Sequence, residues 1–152
     1  MPSCLDAALG YAGRGWAVLA LSPGAKIPIK DSLLQPNGSL SASKDPAHIR
    51  KLWETYPLAN VGVATGAISG LTVIDLDGKH APVLLKSHGL TPPKTYTVKT
   101  PKGWHIYITF DPEIKQGAAL FVAGAECDCA KKCQVDSRGT GGYVVAPPSE
   151  VA

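Results

Sequence analysis

The strongest restriction on the fold is a β-hairpin signature in the second half of the chain. β-prone residues run from Thr95 to Thr100 and again from Trp104 to Phe110, and a short Pro-Lys-Gly turn separates the two runs. A turn this short joins antiparallel neighbours, so antiparallel sheet is expected. Polar and apolar residues alternate in the second run, which places His105 on a polar face that borders a site. A single strand histidine is also common as a hydrogen-bonded structural residue.

Three helices are predicted from their boundary residues. Ser3 is a suitable N-cap for a first helix, whose apolar residues recur at helical spacing. Asp45 and Pro46 supply the N-cap and the first-turn proline of a second helix, which Pro57 ends. A third and shorter helix is expected from Pro82 to Gly89.

Short apolar runs bounded by glycine and proline are typical of buried strands. Besides the hairpin, such runs cover residues 16–21, 61–64, 71–74 and 143–146, and Gln134-Val135-Asp136 gives a further strand signal. The second and third of these runs are expected to pair with each other, since only a glycine-bounded loop separates them. The segment 117–133 shows no clear period and is not assigned.

These elements together predict an α/β (α+β) fold. Helices interspersed with hairpin-connected strands favour a mixed, largely antiparallel sheet packed by helices over a doubly wound parallel sheet. A chain of 152 residues suits one domain with one compact core. Apolar residues make up 45% and charged residues 18%, which excludes the composition of a disordered protein.

Charge and hydropathy restrict the surroundings of the chain. The net charge of +3 suits a polyanionic partner without demonstrating one. No stretch approaches the roughly 20 apolar residues of a membrane span, and the N-terminus lacks the pattern of a signal peptide. A cytoplasmic location without membrane partners is therefore expected.

Two aspartates close the apolar run that begins at Leu71. Asp75 and Asp77 are two residues apart, and the period-two geometry of a strand points both carboxylates to one face. Like charges so close need a counter-ion, and Mg²⁺ or Mn²⁺ suits carboxylate oxygens. The alternative is that Asp77 and Gly78 only form a turn, with Asp75 as a strand-end cap.

A third carboxylate and three basic residues are further candidates. Asp136 and Arg138 are also two residues apart on an expected strand, so they share a face. Lys26, Lys102 and Arg138 together would neutralise a triphosphate. The alternatives are an isolated surface ion pair and lysines that are merely solvated in turns.

Three cysteines, Cys127, Cys129 and Cys133, are clustered in the unassigned segment. Clustered thiols in a reducing compartment are more often metal ligands than disulfides. The spacing is compressed relative to paired C-x2-C sites, and a tetrahedral zinc site needs one more ligand, from Cys4, His80 or His88. Structural zinc, reduced thiols and a disulfide all remain open.

Three motifs carry a family resemblance. Ile74-Asp75-Leu76-Asp77, Thr100 to His105, and Val135 to Gly139 occur in this order, and the last leads to a Gly-Gly-Tyr-Val-Val-Ala-Pro-Pro-Ser segment. They resemble the two-aspartate, histidine and single-aspartate motifs of the bifunctional primase-polymerase domain, in the archaeo-eukaryotic primase superfamily. Residues 24–28 and 60–66 extend the likeness upstream.

The chain departs from the family pattern at two places. Gly103 stands two residues before the histidine, where a small hydroxyl residue is frequent, so one expected phosphate contact is weakened. Residues 117–133 form an apparent insertion that contains the three cysteines.

The resemblance implies both a fold and a site. It implies a catalytic sheet like that of the RNA-recognition motif, an N-terminal α/β unit, and an active site in the cleft between them. Asp75, Asp77 and Asp136 would hold two Mg²⁺ or Mn²⁺ ions. The triphosphate of the incoming nucleotide would be bound by His105, Arg138, Lys26 and Lys102.

The resemblance also implies an activity and partners. The expected activity is template-dependent nucleotidyl transfer, as DNA primase and DNA polymerase, in DNA replication of a phage, plasmid or bacterium. The expected partners are a single-stranded DNA template, a primer terminus, ribo- or deoxyribonucleoside triphosphates, and a helicase. Residues 1–152 would form one catalytic domain, excised from the N-terminal part of a larger replication protein.

Two other functions compete with this one. A catalytically silent module of the same fold would bind DNA or nucleotides, but the presence of all three aspartates argues against it. The sequence around Asp75 and Asp77 also resembles the nucleophile loop of haloacid-dehalogenase-type phosphohydrolases. Lys79 and His80 do not fit that loop.

Overall fold

The computed structural model describes residues 1–124, 127–128 and 133–152. These residues form three α-helices, eight β-strands and a short 3-10 helix at Gly38–Ser41, joined by loops. The helices are Cys4–Gly13 (α1), Pro46–Thr55 (α2) and Ala81–Ser87 (α3). The strands are Val18–Leu21 (β1), Asn60–Ala64 (β2), Leu71–Asp77 (β3), Thr97–Lys99 (β4), Gly103–Thr109 (β5), Gly117–Val122 (β6), Gln134–Arg138 (β7) and Tyr143–Val145 (β8).

The first two helices begin where their caps predict. Ser3 accepts a hydrogen bond from the backbone N–H of Asp6, whose carboxylate accepts one from the N–H of Ser3, so α1 starts with a capping box. Asp45 accepts from the N–H of Ala47 at the start of α2, and Pro46 occupies the first turn. Both caps satisfy backbone donors that no helical carbonyl can reach.

The strands form two sheets, and all their pairings are antiparallel. One sheet has three strands in the order β1-β2-β8, and the other has five in the order β4-β5-β3-β7-β6. The expected hairpin is β4 and β5. The smaller sheet draws β8 from the end of the chain, so the α/β unit that carries α1 and α2 is not purely N-terminal.

The expected pairing between residues 61–64 and 71–74 is wrong. These residues belong to β2 and β3, which lie in different sheets. β2 has β1 and β8 on its two edges, and β3 has β5 and β7 on its edges. A tight turn redirects the chain between them, with the N–H of Gly66 donating to the carbonyl of Leu71 at 2.6 Å.

The buried apolar residues form two clusters, not the single core expected from chain length. One cluster lies between the smaller sheet, α1, α2 and one face of the larger sheet, to which Val73 and Tyr107 contribute. The other lies on the opposite face, where Leu76, Ile106 and Val135 pack against α3. Alternation along β3 and β5 explains the division, because successive side chains point to opposite faces. The larger sheet is therefore covered on both sides.

No helix in the described part of the chain combines the length and apolarity needed to cross a membrane.

Gly103 permits the close approach of β5 to β3. It pairs with Asp77, and a Cβ atom at position 103 would overlap the backbone carbonyl of Leu76. We expect Gly103→Ala to lower the free energy of unfolding by about 2–3 kcal/mol, as overpacking does. Urea denaturation measures this change.

Gly10 provides the matched control. It lies inside α1 with open space around the position of a Cβ. Gly10→Ala should raise the free energy of unfolding by about 0.5–1 kcal/mol, because alanine is the better helix former. Equal effects of the two substitutions would contradict the packing assigned to Gly103.

Candidate active site

One row of residues crosses the middle of the larger sheet and defines the site. Asp75 on β3 lies directly opposite His105 on β5 and directly opposite Asp136 on β7. Directly paired residues in antiparallel strands point to the same face. Backbone pairing alone therefore brings together two carboxylates and an imidazole from three motifs that are distant in sequence.

Asp77 extends this row into an acidic triad. It lies two residues after Asp75 on the same face of β3, and carboxylate oxygens of Asp75, Asp77 and Asp136 approach within 4.8 Å of one another. Asp75 and Asp136 are buried, with only 7% and 4% of their surfaces exposed. Burial of two carboxylates side by side is costly unless cations or hydrogen-bond donors compensate it.

Neighbouring donors compensate part of this negative charge. Arg138 donates from Nη2 to Oδ2 of Asp75 at 3.4 Å. Asp136 accepts from the side-chain amide of Gln134 at 3.1 Å and, through its other oxygen, from the backbone N–H of Ala119. One guanidinium and two neutral donors do not balance three carboxylates, so the site has capacity for further cations.

The ionisation of Asp75 reflects this balance. Burial, and after it the nearby Asp77, raise the pKa of Asp75 to about 6, although Arg138 acts to lower it. Asp75 is therefore mostly ionised at pH 7, as a metal ligand must be.

The pKa of His105 shifts in the opposite direction. Burial lowers its pKa to about 4, and the positive charges of Lys26 and Arg138 contribute. Its Nε2 lies 3.5 Å from Oδ1 of Asp75, while Nδ1 is buried without a hydrogen-bond partner in the described part of the chain. Neutral His105 presents a ring N–H for hydrogen bonding rather than a charge.

The triad opens into a cleft of about 860 Å³ between the two sheets. Asp75, Asp77 and His105 line it, together with Lys26, Lys102 and Arg138. The structure thus brings the proposed metal ligands and all four proposed phosphate ligands to one cavity, with Asp136 behind the lining. Carboxylate oxygens are the donors that Mg²⁺ and Mn²⁺ prefer, so the triad fits such ions.

Two turns hold the other walls of this cleft. Lys26 follows a turn in which the N–H of Ala25 donates to the carbonyl of Ser22 at 3.0 Å, and Tyr143 Oη donates to the carbonyl of Lys26 at 2.8 Å. In the turn between β7 and β8, the carbonyl of Gly139 accepts from Thr65 Oγ1 at 2.6 Å. Both turns are thereby tied to strands of the smaller sheet.

Sequence reasoning missed Gln116, which lines the cleft beside this second turn. Its Oε1 accepts from the N–H of Gly139 at 2.9 Å, and a Cβ at Gly142 would overlap its amide group. The glycine therefore makes room for the glutamine. No local pattern indicated this role, because Gln116 lies just before the segment 117–133, which shows no clear period, and belongs to no element predicted from the sequence.

The two described cysteines of this segment, Cys127 and Cys133, lie beside the residues that follow Asp77 at the end of β3. Sulfurs of Cys127 and Cys133 and an imidazole nitrogen of His80 lie within 4.8 Å of one another. Of the other ligands considered, Cys4 is the first residue of α1 and packs against the core, and His88 stacks on the ring of Phe121 at a centroid distance of 3.8 Å. Cys129 lies outside the described residues.

The raised pKa of Asp75 predicts a pH-dependent stability. Because the folded state binds the proton more tightly than the unfolded state, the stability contribution is complete below about pH 4 and is lost as pH rises through about 6. Without added Mg²⁺ or Mn²⁺, Asp75→Asn should match the parent protein at pH 4 and unfold at a higher temperature at pH 7.5. Glu54→Gln, at an exposed carboxylate, should show no such dependence. An Asp75→Asn variant that is less stable at pH 7.5 would contradict this account.

The geometry agrees with a comparison against protein families. A search of curated proteins gave no significant match. The family model of the bifunctional DNA primase/polymerase N-terminal domain matches residues 8–152, which is nearly the whole chain and includes every residue of the cleft named above. The chain therefore belongs to the bifunctional DNA primase/polymerase N-terminal family.

Proposed function

We propose that this chain is a template-dependent nucleotidyltransferase that acts as DNA primase and DNA polymerase, with Asp75, Asp77 and Asp136 as ligands of two Mg²⁺ or Mn²⁺ ions. The observation that carries the proposal is the pairing register, which unites the three carboxylates at the floor of a basic cleft. Bound at these oxygens, the ions would activate a primer 3′-hydroxyl and neutralise the leaving pyrophosphate.

The basic residues of the cleft would bind the triphosphate of the incoming nucleotide. Arg138 retains 35% exposure of its side chain and has a planar fork of donors that matches phosphate oxygens. Lys26 and Lys102 lie on other walls and contribute point charges. His105, neutral at pH 7, would donate one hydrogen bond to a phosphate oxygen, and proton transfer by it is not required.

The substrates proposed are a single-stranded DNA template, a primer terminus, and ribo- or deoxyribonucleoside triphosphates. We further propose that residues 1–152 act as one catalytic domain of a larger replication protein in a phage, plasmid or bacterium. Association with a helicase and a cytoplasmic location stay predictions. Family membership supports DNA and nucleotides as substrates. It does not test the larger replication protein, the helicase or the location.

The competing functions have less support. A silent binding module needs no set of three converging carboxylates, which would repel a phosphate backbone unless cations bridge them. The phosphohydrolase has no support from the family comparison, because the model that matches residues 8–152 is that of the DNA primase/polymerase domain.

Primer extension tests the catalytic assignment. With a labelled primer on a single-stranded template and Mn²⁺ or Mg²⁺, the parent chain should add nucleotides. Asp75→Asn and Asp136→Asn should each lower the rate at least about 100-fold, because loss of even an outer-shell partner of a metal ligand costs 10–100-fold. Glu54→Gln should keep full activity. A parent chain that binds template and nucleotide but adds nothing would favour the silent binding module.

The assignment of Lys26 makes a separate prediction. Lys26→Ala should raise the KM for the nucleoside triphosphate at least about ten-fold, since a charge-assisted hydrogen bond contributes roughly 1.5–3 kcal/mol. Lys30→Ala is the matched control, because Lys30 is exposed and outside the cleft lining. Steady-state extension at varied nucleotide concentration measures both variants. An unchanged KM in Lys26→Ala would remove Lys26 from the nucleotide site.

A further inference from the structure

Two stretches of the chain contain basic residues and no acidic ones. Residues 7–30 and 78–110 hold eight of the fifteen Lys and Arg residues and none of the twelve Asp and Glu residues. The first stretch includes most of α1 and all of β1, and the second includes α3, β4 and β5. They meet where the ring of Trp16 contacts the rings of Tyr96 and Tyr107. A surface of this charge attracts polyanions.

An exposed guanidinium and two aromatic rings form a patch at this meeting point. The guanidinium carbon of Arg14 lies 5.5 Å from the ring centroids of both Trp16 and Tyr96. We call these three residues the aromatic patch. Arg14 is exposed, Tyr96 keeps 37% of its surface exposed, and Trp16 is partly buried. No ion pair among the described residues includes Arg14, so its charge is available to a ligand.

The aromatic patch continues the floor of the cleft. Val98 lies directly opposite His105, in the row that contains Asp75, and it lines the cleft. Tyr96 is two residues before Val98 and points to the same face, where its ring contacts that of Tyr107 at a centroid distance of 5.0 Å. Two strand spacings and two residues separate the backbone of Tyr96 from that of Asp75, which amounts to about 12 Å. This is roughly three or four stacked nucleotides at about 3.4 Å each.

Ring contacts and hydrogen bonds hold the patch against the wall of the cleft. Trp16 stacks on Tyr11 with the ring centroids 5.7 Å apart, and Tyr11 Oη donates to the carbonyl of Pro147 at 2.9 Å. Pro147 lines the cleft. The N–H of Tyr107 donates to the carbonyl of Tyr96 at 3.0 Å. A surface that is already ordered loses little conformational entropy when a ligand binds.

A second cation lies between the patch and the acidic triad. Lys99 is exposed on β4, which is an edge strand of the larger sheet, and it lines the cleft. Cations that alternate with aromatic surfaces suit single-stranded nucleic acid, because cations bind the phosphates and unpaired bases stack on the rings. The bases of a duplex are already paired and stacked on one another, so they present no free face to Tyr96.

We propose that Arg14, Tyr96 and Lys99 bind the single-stranded part of the template, with a base stacked on Tyr96 and phosphates bound by Arg14 and Lys99. The identity of this strand as a template rests on the proposed function. Primer bases are paired in the duplex, so the template ahead of the primer terminus is the strand whose base faces are free. Trp16 is a positioning residue that holds the other aromatic rings in place.

Fluorescence anisotropy with a labelled oligothymidylate tests the site on the full chain and needs no nucleotide addition. Tyr96→Ala should raise the Kd for this single strand at least about five-fold, because a stacked base loses its platform. Tyr96→Phe keeps the ring and should bind like the parent chain. A primed template with a single-stranded 5′ overhang should show the same loss in Tyr96→Ala, whereas a blunt duplex should not.

The salt dependence of the same Kd tests the phosphate contacts. Arg14→Gln should reduce the slope of log Kd against log salt by about 0.7, the value for one phosphate contact with a single strand. The matched control is Arg50→Gln, at an exposed arginine of α2 outside the two basic stretches. It should change neither the Kd nor the slope.

Primer extension distinguishes failure of this site from failure of the proposed function. In an active chain, Tyr96→Ala should raise the KM for the primed template and leave the KM for the nucleotide unchanged. Single-strand binding through Tyr96 by a chain that extends no primer would support the site and contradict the nucleotidyltransferase assignment alone. An unchanged Kd in both Tyr96→Ala and Arg14→Gln, in a chain that extends primers, would overturn the site alone. Equal losses of affinity for blunt duplex and single strand in Tyr96→Ala would also overturn it.

Discussion

The antiparallel pairing of β3 with both β5 and β7 is the constraint on which the rest of the molecule depends. It places Asp75 between His105 and Asp136, so that hydrogen bonds of the backbone position the side chains of the site. A slip of one residue in either pair would turn a carboxylate or the imidazole to the opposite face, against the apolar cluster under α3. The register is protected because such a slip would also remove Leu76, Ile106 or Val135 from that apolar cluster.

The same arrangement has an electrostatic cost that lowers the free energy of unfolding, because it buries carboxylates side by side. The two buried carboxylates are only partly compensated by Arg138, Gln134 and a backbone N–H, which is why burial raises the pKa of Asp75. An environment that holds anions close together and leaves room beside them favours multivalent cations. The apolar face of β3 and the packing of Val73 supply the stability that this charge cluster opposes.

Local features of the fold could be predicted from the sequence, whereas features that depend on distant pairing could not. The caps at Ser3 and Asp45 and the β4-β5 hairpin act within a few residues, and the structure confirms them. β2 and β3 lie in different sheets because each pairs with strands that are distant in the sequence. No local sequence pattern indicates which strands those are. β6 lacks alternation, so its strand went unassigned. For the site, period-two spacing placed Asp75 beside Asp77, but only the topology brings His80 to the cysteines.

A crystal structure with Mn²⁺ and a non-hydrolysable nucleoside triphosphate would test the central claim most directly. Anomalous diffraction locates manganese independently of the protein coordinates. The account predicts manganese coordinated by Asp75, Asp77 and Asp136, with the triphosphate against Arg138 and Lys26. Manganese away from the three carboxylates, or a triphosphate bound outside the cleft, would contradict it.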